Sequence, residues 1–223
     1  MKAKASWGAI FDWDGVIIDS SRQHRLSWER LAAEEHRTLP PDHFERGFGM
    51  RNRQIVPDIL GWTTDPAEIA RLDARKEELF RELVKAEGLA PLPGVVPFLK
   101  RLKAAAVPAV IATSTPRINL DFLLGRLHLV RYFRHHVTSE DVSHGKPDPE
   151  VFLQAVARLG LWPNRCVVFE DSPVGLQAAR AAGIKVVAVT TSHPPAALAA
   201  ADRCVARLDE LTPAALAAWL DEP

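Results

Sequence analysis

Cysteine is scarce in this chain. Its two cysteines, Cys166 and Cys204, stand far apart and in no spacing that grips a metal. A disulfide framework is thereby excluded, and a reducing cytoplasm is the expected setting. Excess charge is missing as well, since 28 acidic residues balance 28 Lys and Arg. A chain without surplus positive charge has no general surface for polyanions, so nucleic acid is not an expected partner. No apolar run is long enough to cross a bilayer, so no membrane is expected either. Lys2 and Lys4 do precede an apolar stretch, but Asp12 and Asp14 end it too early for a secretory signal. There is no internal repeat, and alanine enrichment is the one compositional bias.

What is present is an ordinary apolar fraction, 47% of 223 residues. That suffices for one large domain or for a core domain with an insertion. Short apolar runs read as buried strands at Trp7 to Phe11, Val107 to Thr113, Cys166 to Phe169 and Lys185 to Val189. Between the later runs lie helical patterns, each opened by a proline: Pro116 to Leu127, Pro149 to Leu159 and Pro173 to Ala182. Strands alternating with helices predict an α/β fold, a Rossmann-like parallel sheet with helices on both faces. Pro213 to Leu220 reads as a covering helix.

Residues 20–90 break this alternation. They are charged and helical in pattern over Arg22 to Arg37, Gln54 to Leu60 and Pro66 to Glu87, with Leu79, Leu83 and Ala86 on one face. An inserted helical subdomain is expected there, with residues 1–19 and 91–223 forming the α/β core. Asp19–Ser21 and the proline-rich Ala90-Pro91-Leu92-Pro93-Gly94 are the expected hinges.

Polar residues gather where the strands end. Asp12 and Asp14 flank Trp13 and precede Gly15; side chains two apart on a strand share a face, so both carboxylates can converge beyond its C-terminus. The second strand ends in Ala112-Thr113-Ser114. A later loop holds Gly145-Lys146-Pro147-Asp148-Pro149, and the fourth strand runs into Glu170-Asp171-Ser172. A parallel sheet puts all these ends on one edge, the usual ligand site of open α/β folds.

The site would carry four carboxylates, Asp12, Asp14, Glu170 and Asp171, against one lysine. Two like charges about 4 Å apart cost roughly 4 kcal/mol at an effective dielectric of about 20. Several such pairs would exceed a typical stability of about 5–15 kcal/mol, so a cation is needed. With no His or Cys in the set, hard oxygen ligation favours Mg2+ over Zn2+.

The order and spacing of these segments resemble the haloacid dehalogenase superfamily over nearly the whole chain. Asp12-Trp13-Asp14-Gly15 matches its Asp-x-Asp-Gly motif, Thr113 its second motif, Lys146 its third and Glu170-Asp171 its fourth. The insertion resembles the small helical cap of the β-phosphoglucomutase-like branch. The resemblance implies Asp12 as nucleophile, forming an aspartyl-phosphate, and Asp14 as general acid and then base. It implies Thr113 and Lys146 as holders of phosphoryl oxygens, with backbone N–H groups of Trp13, Asp14 and Ser114 completing the cradle. For Mg2+ it implies the Asp12 carboxylate, the Asp14 backbone carbonyl and Asp171 as ligands, with Glu170 acting through water or from behind.

Within the insertion, the glycine-flanked stretch Gly47 to Arg53 reads as a sugar- or phosphate-reading loop, with Arg51 and Asn52 as candidates. Arg75 and Lys76 sit on a helix able to face a cleft. His24 and Lys76 fall where β-phosphoglucomutases carry functional His and Lys. Trp28 is expected to pack, Asp148 to cap a helix, and His135 and His136 to be structural or exposed.

Asp14 disfavours dehalogenase and phosphonatase chemistry, whose family members lack an aspartate there. Two reactions remain: hydrolysis of a small sugar-phosphate-like monoester, and β-phosphoglucomutase-type transfer. Gly49-Met50-Arg51-Asn52 departs from the mutases' Gly-Val-Ser-Arg loop, which favours the phosphatase. A catalytically inactive binding protein on the same fold is disfavoured by the presence of Asp12, Asp14 and Lys146. The expected partner is a small phosphorylated metabolite, and the expected assembly a monomer or weak dimer.

Overall fold

A computed structural model describes residues 6–222, and in it the chain divides into two units, Ser20–Ala90 and the segments on either side of it. The Ser20–Ala90 unit is helical: α1 (Ser21–Glu34), α2 (His43–Gly47), α3 (Asn52–Gln54) and α4 (Pro66–Glu87). Asp65 starts α4, its Oδ1 accepting from the Ala67 N–H at 3.1 Å, while Pro66 fills a position whose N–H would be unpaired anyway. Apolar faces of α1 and α4 meet, and Trp28, Leu31, Leu72 and Leu79 form a core with Ile55, Val56 and Leu60. The α-helix expected from Gln54 to Leu60 is instead a π-helical turn over Ile55–Ile59. Pro57 offers no N–H to the regular ladder, and the Leu60 N–H reaches back five residues to Ile55 O at 2.9 Å. Arg75 pairs with Glu34 at 2.8 Å and Glu78 at 3.0 Å.

The other unit is the α/β fold that strand–helix alternation predicts. Its strands are β1 (Gly8–Phe11), β2 (Ala109–Ala112), β3 (His135–Val137), β4 (Cys166–Glu170), β5 (Lys185–Val189) and β6 (Arg203–Val205). They form one parallel sheet in the order β3-β2-β1-β4-β5-β6. Its helices are α5 (Val95–Ala104), α6 (Arg117–Arg126), α7 (Glu150–Leu159), α8 (Pro173–Ala181) and α9 (Pro213–Leu220). Adjacent residues of β1 face opposite sides of the sheet. Ile10 joins Val110, Val168, Phe152 of α7 and Leu176 of α8 in one core. Phe11 stacks on Phe169 at 4.6 Å and meets Phe98 of α5 edge-on at 6.2 Å. Helices on both faces explain why the central strands are apolar throughout rather than alternating.

Three elements of this unit escape the sequence pattern. β3 and β6 are three-residue edge strands, His135-His136-Val137 and Arg203-Cys204-Val205, with no apolar run to mark them. α5 follows directly on the proline-rich stretch, and Pro97 in its first turn hides its periodicity. Among the described residues no helix is long and apolar enough to cross a membrane.

Candidate active site

β1 lies between β2 and β4, with Phe11 level with both Ile111 and Phe169. The next residue on each strand therefore reaches the C-terminal edge together. The Asp12 N–H donates to Phe169 O at 3.0 Å, and the Thr113 N–H to Val137 O at 3.0 Å, so the sheet itself aims both side chains. Beyond Asp12 the chain turns sharply, the Gly15 N–H donating to Ile18 O at 2.7 Å and the Ile17 N–H to Trp13 O at 2.9 Å. Gly15 has φ +78°, and a Cβ there would stand 1.8 Å from Asp171 Oδ2. Only glycine lets this turn and the β4 end approach so closely.

Lys146 closes the cluster. Its Nζ lies 2.5 Å from Glu170 Oε1 and makes an ion pair with Asp12 Oδ1 at 3.1 Å. Glu170 is held from its other oxygen: Oε2 accepts from the Asp171 N–H at 2.6 Å, the Ser172 N–H at 2.7 Å and the Ser172 hydroxyl at 3.0 Å. The carboxylate thus rests on the first turn of α8, where a Cβ on Gly175 would sit 1.7 Å from Glu170 Oε1. Ser172 caps that helix, accepting from the Gly175 N–H at 3.2 Å, a role that Glu170 and Asp171 leave to it. Asp148 accepts from the Glu150 N–H at 2.9 Å at the start of α7.

Asp12, Lys146, Glu170 and Asp171 are all buried, with 3%, 1%, 0% and 1% of their surface exposed. Burial pushes the Asp12 carboxyl up to about 7; Lys146 opposes this, and Glu170 and Asp14 add to it. Burial, then the charges of Glu170 and Asp12, raise Asp171 well above the usual carboxylate range. Burial works against a charged Glu170 too, but Lys146 and the backbone N–H donors outweigh it and hold its carboxyl low. Burial likewise opposes the Lys146 ammonium, and Asp12 and Glu170 outweigh that in turn, so the lysine stays charged.

One carboxylate oxygen each from Asp12, Glu170 and Asp171 lies within 4.8 Å of the others. Ionised, the three against Lys146 leave a charge of minus two. Asp171 Oδ2 is buried and receives no aligned hydrogen bond among the described residues, while Asp12 Oδ1 meets Lys146. An orphaned buried oxygen on a cluster of that charge, without sulfur or imidazole, fits a hard divalent cation such as Mg2+.

Asp14 is half-buried, and its Oδ2 accepts a short hydrogen bond from the Thr115 hydroxyl. The Thr115 N–H in turn donates to Thr113 Oγ1 at 3.1 Å. Sequence reading passed over Thr115; a threonine before a proline carries no signal until its partner, 101 residues away, is known. Ser114 is half-buried beside Thr113. The Trp13 indole is wholly buried, so only its backbone can meet a ligand.

The Ser20–Ala90 unit gathers a second set of candidates. Lys76 Nζ lies 2.6 Å from His24 Nδ1 and 3.0 Å from Glu77 Oε1. The His24 ring stacks on Phe80 at 4.1 Å. Asn52 donates to Glu77 Oε1 at 2.6 Å and to Asp73 Oδ1 at 2.9 Å, pinning its loop to α4. Burial opposes a charged Glu77, but Lys76, His24 and Asn52 prevail and hold its carboxyl low. Arg51, half-buried, is the residue from which α3 starts. Trp28 belongs to the apolar core of this unit.

A parallel α/β sheet with a buried carboxylate–lysine cluster at its C-terminal edge has its polar groups where open α/β folds bind their ligands. Residues 8–183 match the family model of a haloacid dehalogenase-like hydrolase. The chain is 39% identical over 208 residues to the chloroplastic 5-amino-6-(5-phospho-D-ribitylamino)uracil phosphatase of Arabidopsis thaliana, covering 92% of this chain and 55% of that protein. It thus spans about half the length of that plant relative. It is 34% identical over 184 residues to the phosphorylated carbohydrates phosphatase of Thermotoga maritima, covering 79% and 81% of the two chains. A crystal structure of β-phosphoglucomutase from Clostridium difficile superposes with a TM-score of 0.86 at 22% identity, over 97% of this chain and 98% of that one, a likeness of fold. The chain belongs to the haloacid dehalogenase-like hydrolase family, on its β-phosphoglucomutase-like branch.

Proposed function

We propose that this chain is a Mg2+-dependent phosphatase that hydrolyses a small, sugar-phosphate-like monoester through an aspartyl-phosphate on Asp12. The observation that carries this reading is the buried Asp12 carboxylate, 3.1 Å from Lys146 Nζ and within reach of Asp171, with Asp14 two residues further on. The phosphatases of Arabidopsis and Thermotoga to which the chain is similar support it.

Asp12 attacks phosphorus, and the bond to the leaving oxygen breaks as Asp14 gives that oxygen a proton. Asp14 then takes a proton from water, which displaces phosphate from Asp12. Lys146 and the Thr113 hydroxyl hold phosphoryl oxygens, helped by backbone N–H groups of Trp13, Asp14 and Ser114. Asp12, Asp171 and the Asp14 carbonyl would hold Mg2+, with Glu170 positioned behind by its backbone donors. When bound, the cation offsets the charge of the cluster and of the phosphoryl group. The Ser20–Ala90 unit acts as the cap that selects the substrate, through His24, Arg51, Asn52 and Lys76. The unpaired state of Cys166 and Cys204 suits a cytoplasmic setting. Asp12→Asn tests the core of this reading: turnover of 4-nitrophenyl phosphate in Mg2+ should disappear while the circular dichroism spectrum is kept, and retained turnover would refute it.

A β-phosphoglucomutase-type transfer is the second reading, favoured by the buried Lys76–His24 contact at 2.6 Å. Incubation with β-glucose 1-phosphate and a trace of the 1,6-bisphosphate separates the two. Inorganic phosphate formed in step with substrate loss supports the phosphatase; glucose 6-phosphate without matching phosphate supports the mutase.

A further inference from the structure

Thr115 stands in a loop whose backbone is held at several points. Its N–H donates to Thr113 Oγ1 at 3.1 Å, and its carbonyl accepts from the Ser139 N–H at 3.4 Å. Pro116 follows, which confines Thr115 to extended backbone. One residue later the Arg117 N–H donates to both oxygens of Glu140 at 3.1 Å, and the Arg117 side chain donates to Asp141 at 2.7 Å. The side chain is itself buried, with 6% of its surface exposed, and β-branching restricts its first torsion. A hydroxyl has one proton to donate, and Thr115 directs its proton to Asp14 Oδ2. By accepting from the Thr115 N–H, the Thr113 oxygen leaves its own proton to donate toward a phosphoryl oxygen. One loop thus couples the two groups: it turns the Thr113 hydroxyl and it grips the Asp14 carboxyl.

We propose that Thr115 is the positioning residue for Asp14, fixing the carboxyl so that its proton is delivered to the leaving oxygen. The inference rests on the phosphatase reading above and adds to it a residue that acts only through Asp14. Asp14 sits on a turn beyond the end of β1 rather than in the sheet, and the Thr115 hydroxyl ties its carboxyl to a loop held by its own backbone hydrogen bonds.

The consequence is a dependence on the leaving group. A positioned general acid contributes about 100- to 10,000-fold when the leaving oxygen is strongly basic, and little when it departs unaided. The value of kcat/KM reports the steps up to that departure. The experiment compares wild type, Thr115→Val and Thr115→Ser on an alkyl phosphate (glycerol 1-phosphate) and on 4-nitrophenyl phosphate, in Mg2+. Thr115→Val should lose about 10- to 100-fold in kcat/KM on the alkyl ester and under about 3-fold on the aryl ester. Thr115→Ser, which keeps the hydroxyl, should restore most of the alkyl activity. Equal losses on both esters, or a rise in KM alone, would make Thr115 a phosphate contact or a mere packing residue and overturn the inference. So would a Thr115→Val enzyme with full alkyl activity. Asp12→Asn run alongside separates the two levels: if it turns over both esters like wild type, the phosphatase reading falls and this inference with it.

Discussion

Replacing Asp12 by Asn should silence the enzyme and, in the absence of divalent cation, make the protein more stable. Asp12 is buried beside Glu170 and near Asp14, and its carboxyl stands at about 7 instead of the ordinary 3.8. Keeping it ionised in the fold at pH 8 therefore costs about 4 kcal/mol. Asn has nearly the same size and no charge, so it removes that cost. The attraction of Lys146 is already contained in that value, so losing it adds no separate cost, and Lys146 keeps Glu170 at 2.5 Å. The net expectation is a variant up to about 4 kcal/mol more stable than wild type at pH 8 in EDTA. The sign of the pH dependence follows from the raised value. Between 3.8 and about 7 the native state binds more protons than the unfolded state, so this group removes stability as pH rises through that window. At about pH 5 only the lower part of the cost has accrued, and the advantage of Asn should fall to less than half. Mg2+ should reverse the order at pH 8, since it binds the native wild type in preference to the unfolded chain. Guanidinium titrations of both proteins at pH 5 and pH 8, with EDTA and with Mg2+, make the test. An Asp12→Asn protein no more stable than wild type at pH 8 in EDTA, or an advantage unchanged at pH 5, would refute the electrostatic account.

Other parts of the site lend themselves to similar tests. Activity should be lost in EDTA and return with Mg2+; turnover unaffected by chelation would contradict the orphaned-oxygen argument. Lys146→Met leaves Asp12, Glu170 and Asp171 without a counter-charge and should lower stability by about 3–5 kcal/mol, measured by thermal melting in EDTA. Gly175→Ala places a Cβ 1.7 Å from Glu170 Oε1, so Glu170 must leave Lys146. It should cost about 2 kcal/mol or more and reduce kcat; a variant as stable and active as wild type would mean that Glu170 is not held where it is described.

Much of this arrangement is readable from residue order. Apolar runs ending in Asp12, Thr113 and Glu170 announce buried parallel strands with chemistry at one end, because a side-chain period and a strand length are local properties. The helical pattern of residues 20–90 is local in the same sense. The edge strands β3 and β6 are not readable, since three residues without an apolar run form a strand only when a neighbouring strand offers its free backbone groups. Pro57 shows the reverse case, where an apolar helical pattern yields a π-helical turn because one N–H is missing.

The sequence by itself determined which chemical groups the protein has to work with, and that they fall at strand ends. Tertiary structure alone decided their state. Glu170 is held ionised and Asp171 is pushed toward its neutral form although the two are adjacent in the chain, because one faces Lys146 and accepts from the N–H groups of Asp171 and Ser172 just ahead of α8 and the other does not. Thr115 became a partner of Asp14, and Gly175 a seat for Glu170, only through folding. Burial and electrostatic coupling depend on distances across the fold, and residues a hundred positions apart have no such distance until the chain has packed.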